Sequence, residues 1–334
     1  MVKEEIIALF EQFNQQRVLV VGDVMIDSYF WGKVDRISPE APVPVVSVNK
    51  KENRLGGAAN VALNLKALGA TPILASVVGA DHYGKIFNEL LDQQNLSIKG
   101  ITPSLERPTT VKTRIISDGQ QMIRVDEETT AYLSKTEEEN LIARVLQILD
   151  TDKIDVIIFE DYNKGVLSKN VIKQIIAKAN QLGIPTTVDP KKTHFFAFKD
   201  VTLFKPNLKE LKEGVKRDFD KSDNKALEEA VAEMQQKLNN KISLITLSEL
   251  GVYVNDGKAS HIPAHIRNIS DVSGAGDSVI SVASLCLACQ TSAVFMAALA
   301  NLAGGLVCEK IGVVPIDKSQ LLNEAIKLSE TYAA

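Results

Sequence analysis

The sequence predicts an α/β protein on a doubly wound, mostly parallel central sheet flanked by helices, with a small β lid. Three observations predict it. Short apolar runs rich in β-branched residues recur along the chain, and a helix-like amphipathic stretch follows most of them. Two further stretches alternate with period two around prolines or an Asp-Gly pair. Continuous apolar strands alternating with helices imply a parallel sheet buried on both faces.

Taken in order, Ile6, Leu9, Phe10 and Phe13 recur at helical spacing behind Lys3-Glu4-Glu5, an amphipathic first helix with no signal-peptide pattern. Strands are expected at Val18–Val21, Ile73–Val78, Val156–Phe159, Thr186–Val188, Val201–Phe204 and Ile242–Thr246. Helices are expected at Asn60–Leu68, Glu137–Leu149 and Lys169–Leu182, and the charge-dense Lys209–Glu229 reads as a solvated helical face. Tyr29 to Val48 holds Pro39, Pro42 and Pro44 between alternating valines. Thr109 to Val125 alternates around Asp118-Gly119, the signature of an antiparallel hairpin. Together they read as a small sheet projecting from the main body, a lid whose unpaired edges favour a homodimer. Val279–Cys308 carries no charge and could span a membrane by length. Gln290-Thr291-Ser292 interrupts it, so two short buried helices are expected instead.

Composition narrows the function. With 38 Lys+Arg against 42 Asp+Glu the net charge is −4, which argues against a nucleic-acid binder that must displace counterions. The 45% hydrophobic and 24% charged fractions exclude global disorder. Cys286, Cys289 and Cys308 are too few and too odd in number for a disulfide framework. The C-x-x-C pair lies in an apolar helix without a second ligand pair, so buried thiols are expected. His82, His194, His261 and His265 share no ligand spacing. A cytoplasmic protein without membrane or nucleic-acid partner follows, organised as one domain over residues 1–334 with lid segments at about 28–50 and 108–126.

Asp271-Val272-Ser273-Gly274-Ala275-Gly276-Asp277 carries the strongest chemical signal. Small residues entering a helix expose backbone N–H groups to an anion, and the helix dipole adds to the attraction. A carboxylate beside phosphate is unfavourable unless it has a task, and accepting a proton from an attacking hydroxyl is that task. A second glycine turn, Leu55-Gly56-Gly57-Ala58-Ala59-Asn60, opens a helix and offers bare backbone plus an amide to a sugar. Gly22-Asp23-Val24-Met25-Ile26-Asp27 is not a dinucleotide fingerprint, and it sets Asp27 near a strand terminus, where it can bind hydroxyls.

These residues together resemble the ribokinase-like (PfkB) family of carbohydrate kinases, from Val18 to about Ile316. The resemblance implies that Asp277 is the catalytic base, that Gly274, Ala275 and Gly276 form the anion hole, and that Asp27, Gly56, Gly57 and Asn60 hold the sugar. ATP and Mg²⁺ are the implied cofactors. Pro206-Asn207-Leu208-Lys209-Glu210 resembles the N-x-x-E motif, placing Asn207 and Glu210 near the nucleotide phosphates and, indirectly, Mg²⁺. Thr246, Ser248 and Gly251 lie in a turn resembling that along ATP, Asn301 matches the residue beside adenine, and Lys191 is a triphosphate candidate. Gly312-Val313-Val314-Pro315 replaces the usual polar cation-binding stretch, which argues against K⁺ dependence, although Asp271 remains for a monovalent ion.

Within the family, Arg36–Val45, Pro108–Arg114, Gln120–Asp126, Asp161–Gly165 and Asp189-Pro190-Lys191 resemble the D-glycero-D-manno-heptose 7-phosphate kinases. A substrate that already carries phosphate needs cations at the far end of its site. Lys112 and Arg114 alternate to one face of the hairpin, and Arg36 and Arg124 lie in the same lid. Phosphorylation of the heptose phosphate at its anomeric hydroxyl, toward ADP-heptose for lipopolysaccharide, is therefore expected. No nucleotidyltransferase domain is expected after the kinase. The alternatives are a kinase for ribose, fructose or a hexose phosphate, a non-catalytic sugar or nucleotide sensor, and a dinucleotide oxidoreductase.

Overall fold

Val18 and Val20 point into one apolar cluster while Leu19 and Val21 point into another. The same split recurs downstream, where Val156 and Ile158 face one side and Ile157 and Phe159 the other. A strand with both faces apolar must be covered on both, which is how the runs seen in the sequence dictate a three-layer fold. The computed structural model describes residues 1–265 and 267–333.

The first seven strands are β1 (Arg17–Gly22), β2 (Val24–Ile37), β3 (Pro44–Gly57), β4 (Thr71–Gly79), β5 (Ser97–Ser104), β6 (Val111–Ser117) and β7 (Gln120–Glu127). Then come β8 (Val156–Glu160), β9 (Thr186–Asp189), β10 (Leu203–Phe204), β11 (Ile242–Thr246), β12 (Val252–Asn255) and β13 (Ala259–Ile262). The main sheet has nine strands in the order β13-β12-β11-β10-β9-β8-β1-β4-β5. It is parallel from β5 to β11 and ends in the antiparallel pair β12–β13.

One face is covered by α1 (Lys3–Phe13), α2 (Ala58–Ala67), α3 (His82–Gln93), α8 (Ala275–Ala288), α9 (Ala293–Val307) and α10 (Lys318–Ala333). The other carries α4 (Lys135–Thr151), α5 (Lys169–Leu182), α6 (Leu208–Val215) and α7 (Asn224–Leu238). Ile6, Leu9, Phe10 and Phe13 are all buried, as their spacing predicts. Full burial of each such side chain contributes roughly 1.5–3 kcal/mol.

The uncharged stretch forms the two expected helices, with the Ser292 hydroxyl capping α9 through Phe295 N–H at 3.3 Å. Helix α8 is buried on every side from Asp277 to Cys286. Its polar groups are satisfied internally: the Ser281 and Ser284 hydroxyls return to the carbonyls of Asp277 and Ile280 at 2.6 and 2.7 Å. Burial pushes the Cys286 thiol up, as suits an inert buried cysteine.

The lid is a four-stranded sheet in the order β3-β2-β6-β7. Asp118 and Gly119 both take positive φ (48° and 79°), the twist-matched geometry of a two-residue hairpin turn. Its long strands run back beyond the expected segments, β2 starting at Val24 and β3 ending at Gly57 against α2.

Three local expectations change. The run Val201–Phe204 is strand only at Leu203–Phe204. Lys209–Glu229 is not one helical face but α6 and α7, parted at residues 216–223. Strands β5 and β13 appear where no apolar run announced them, because β13 and most of β5 are not fully buried and alternate only weakly, while β12 forms on the short buried run Val252–Val254.

Candidate active site

The carboxyl ends of β8 and β9 and the N-terminus of α8 converge on one point. Gly274 caps α8 at φ 80°, a conformation costly for any side chain, and this turn sets Gly276 at the positive end of the helix while the Ala275 N–H donates to Val272 O at 3.3 Å. Asp277 follows one step in, and is 6% exposed. Burial raises its pKa to about 6, against the opposing hydrogen bond from Tyr162, with Asp189 adding to the rise. The Tyr162 hydroxyl donates to Asp277 Oδ1 at 2.9 Å, and Asn60 hydrogen-bonds the same carboxyl.

Tyr162 is placed by a residue far away in the chain. Asp23, buried between β1 and β2, accepts N–H bonds from Tyr162 (2.9 Å), Lys164 (3.0 Å) and Val166 (3.0 Å). Asp161 continues the anchoring, accepting from Asn163 N–H at 2.7 Å and Lys191 N–H at 3.3 Å. Neither Asp23 nor Tyr162 stood out singly in the sequence, since their partners lie about 140 residues apart.

Asp27 is the fourth residue of β2, near the start of the strand, and it is buried. Gly56 faces it so closely that a Cβ there would sit 2.5 Å from Asp27 Oδ2. Gly57 caps α2 and delivers Asn60 to its first turn. Asp27 thus meets Gly56 on the adjoining strand, and Asn60 meets the Asp277 carboxyl.

At the end of β9, Asp189 and Lys205 form a buried pair at 2.8 Å, beside Glu160. Glu160 Oε2 has no partner, and burial with the nearby Asp189 and Asp277 charges pushes its pKa well above the carboxylate range. Asn207 and Glu210 turn out to be a reciprocal capping box. The Asn207 side chain accepts from Glu210 N–H, and Glu210 Oε2 accepts from Asn207 N–H, both at 2.8 Å. Glu210 Oε1 takes the Lys191 ammonium at 2.7 Å. Both Glu210 oxygens are thus engaged, one by Lys191 and one by Asn207 N–H.

Thr246 ends β11 beside Asn207, to which it is bridged. Ser248 and Gly251 both take positive φ in the following turn. A Cβ at Gly251 would meet Ile262 O at 2.1 Å, so only glycine fits. Asn301 reaches the same segment from α9, donating to Pro263 O at 2.9 Å. Asp271 accepts from Ser273 N–H (2.9 Å) and Gly312 N–H (3.0 Å), which tie the glycine turn to the 312 loop and hold its pKa down.

The lid cations are gathered but already partnered. Arg114 Nη1 binds Asp27 Oδ1 at 2.6 Å. Lys112 binds Asp126 and Glu128 at 3.0 and 2.7 Å, and Lys164 joins it on Glu128 at 2.5 Å. Burial opposes the Glu128 charge, yet Lys112 and Lys164 hold its pKa below the usual range. Glu128, which joins the two lysines, was not foreseen. Arg124 lies across from Arg114 but turns to Asp126. Arg36 does not join them: it is exposed, nine positions along β2 from Asp27, roughly 30 Å at strand rise. Trp31 stacks on Tyr29 within the lid, ring centroids 5.4 Å apart.

Among the described residues no group of three or more acidic, His or Cys side chains is arranged to hold a metal. A buried anionic cluster facing two lysines fits Mg²⁺ carried largely by phosphates and water, the coordination that ion prefers.

The sequence profile of the pfkB family carbohydrate kinases matches residues 15–319. The bifunctional protein HldE of Magnetococcus marinus is 40% identical over 323 residues, 96% of this chain and 66% of the relative. That of Citrifermentans bemidjiense is 37% identical over 326 residues, 97% of this chain and 66% of the relative. The chain spans just under two thirds of the length of these relatives. Among solved structures, phosphofructokinase-2 from Escherichia coli in complex with potassium superposes with a TM-score of 0.77 at 19% identity, over 94% of this chain and 99% of that one. Ribokinase from Arabidopsis thaliana with ribose and ATP gives 0.70 at 18% identity, over 93% and 99%. These structures share the fold.

Proposed function

The chain belongs to the pfkB family of carbohydrate kinases, and we propose that it phosphorylates D-glycero-D-manno-heptose 7-phosphate at the anomeric hydroxyl. The observation that carries this reading is Asp277, buried at a helix N-terminus with Tyr162 and Asn60 on its carboxyl. Asp27 and Asn60 hold the sugar hydroxyls, and Asp277 takes the proton of the attacking one. The Gly276 amide, joined by the Ala275 N–H once it leaves Val272 O, takes the transferred phosphoryl group, and Lys191 and Lys205 balance the nucleotide phosphates. Mg²⁺, when bound, offsets charge on the transferring group. The substrate's own phosphate is assigned to Lys112, Lys164 and Arg114, which it reaches by displacing Glu128 and sharing Arg114 with Asp27. The lid motifs that resemble heptose 7-phosphate kinases and the HldE relatives support the same substrate.

Exposed apolar side chains on the lid strands, among them Ile37, Val48, Ile123 and Val125, and unpaired edges at β3 and β7 support a homodimer through the lid. Among the described residues no helix is long and apolar enough to cross a membrane, which supports a cytoplasmic enzyme. The test is ³¹P NMR of the product. A new anomeric phosphate resonance, with the 7-phosphate retained, is expected. ADP formed without that resonance would mean another acceptor.

A further inference from the structure

Outside this site the protein carries a cavity of about 800 Å³ between α5, the segment 192–200 and the end of α6. That volume is ample for a small ligand. The rim holds Lys169, Lys173, Lys192, Lys199 and Lys216 against only two acids, Asp200 and Glu213. Asp200 is engaged elsewhere by Asn239 at 2.7 Å, and Glu213 pairs loosely with Lys192 at 3.8 Å. Among the described residues Lys169, Lys173, Lys199 and Lys216 meet no carboxylate. Four unpaired lysines around one concavity are unexpected in a chain of net charge −4.

The wall beneath that rim is packed rather than open. His194 lines the cavity about nine-tenths buried, its ring centroid 5.3 Å from that of Tyr132, and both ring nitrogens are shielded from solvent. The floor is apolar, with Ile176 and the Phe195 and Phe196 side chains, so the cavity presents a greasy base under a cationic rim.

We propose that this cavity binds a small, multiply phosphorylated anion. Tripolyphosphate serves as the probe, because its charge and oxygen donors test the rim without an organic part. It is titrated calorimetrically into the full chain already saturated with ADP. The ADP titration itself reports separately whether the nucleotide reading stands. One additional site is expected. Lys169→Glu with Lys173→Glu, both exposed and outside the catalytic site, should weaken it roughly tenfold or more, the worth of one charge-assisted hydrogen bond. The control Lys225→Glu with Lys258→Glu, equally exposed and away from the cavity, should leave it unchanged, and both variants should keep wild-type turnover. No heat beyond the ADP site would overturn the proposal, as would equal weakening in the control pair. Citrate binding as tightly as tripolyphosphate would overturn the phosphate assignment.

Discussion

The Tyr162 hydroxyl sits 2.9 Å from Asp277 Oδ1, and that bond opposes the rise that burial imposes on the carboxyl proposed as the base. Burial raises Asp277 to about 6, while Tyr162 stabilises its charged form and so pulls it down. A base must be deprotonated to act, so turnover falls as pH drops through about 6. Tyr162→Phe removes the opposing bond, and the acid limb of the kcat profile should move to higher pH with only a modest loss at the plateau. An unmoved limb would mean that this bond does not tune the base.

Asp277→Asn should cut kcat by roughly 10²–10⁴, the range for a lost general base, while the Kd for ATP stays near wild type. The same variant makes a stability prediction. Asp277 titrates near 6 when folded and near 3.9 when unfolded. The protonated side chain is the one the fold prefers, so that stability is present below about pH 4 and lost as pH rises through 6. Asparagine escapes the loss. D277N should melt a few degrees above wild type at pH 7.5, on the order of 2 kcal/mol, and match it at pH 4. Scanning calorimetry at the two pH values checks this.

Lys112 and Lys164 share Glu128, so freeing them should favour an incoming phosphate. Glu128→Gln should lower the KM for the sugar phosphate or leave it unchanged, whereas Lys112→Ala with Arg114→Ala should raise it roughly 10–100-fold with ATP KM little altered. Steady-state kinetics with each substrate varied decides it, and equal effects on both KM values would remove the lid cations from the substrate site.

Asp23→Ala leaves three backbone N–H groups without their acceptor, that of Val166 buried and those of Tyr162 and Lys164 partly so. At about 1 kcal/mol or more for each, unfolding stability should fall by roughly 3 kcal/mol. The kcat should fall too, because Tyr162 loses its anchor. A urea midpoint close to wild type would show that the loop holds itself.

Much of this architecture is written locally. The unbroken apolar run Val18–Val21 needs only adjacent residues, and Asp118-Gly119 needs only two, so the sheet, hairpin and buried helix pair were legible. The glycine turns were legible too, because the small residues of 274–276 and the Asp at 277 are contiguous. What stayed hidden depends on distance in sequence. Asp23 and Tyr162 meet across 139 residues, and Glu128 earns its place only once β6 and β7 pair. Asn207 and Glu210 were visible as a motif, and their three-residue spacing also makes the reciprocal cap of α6. Arg36 shared a lid with Lys112 and Arg114, but strand length carries it far from them.

The most direct test of the central assignment is ADP release from Mg-ATP with five acceptors: heptose 7-phosphate, unphosphorylated heptose, ribose, fructose and fructose 6-phosphate. Asp277 as base, with Lys112, Lys164 and Arg114 meeting a substrate phosphate, predicts turnover concentrated on heptose 7-phosphate. Faster turnover of a neutral sugar would contradict it, keeping the kinase but leaving those three cations without the partner assigned to them.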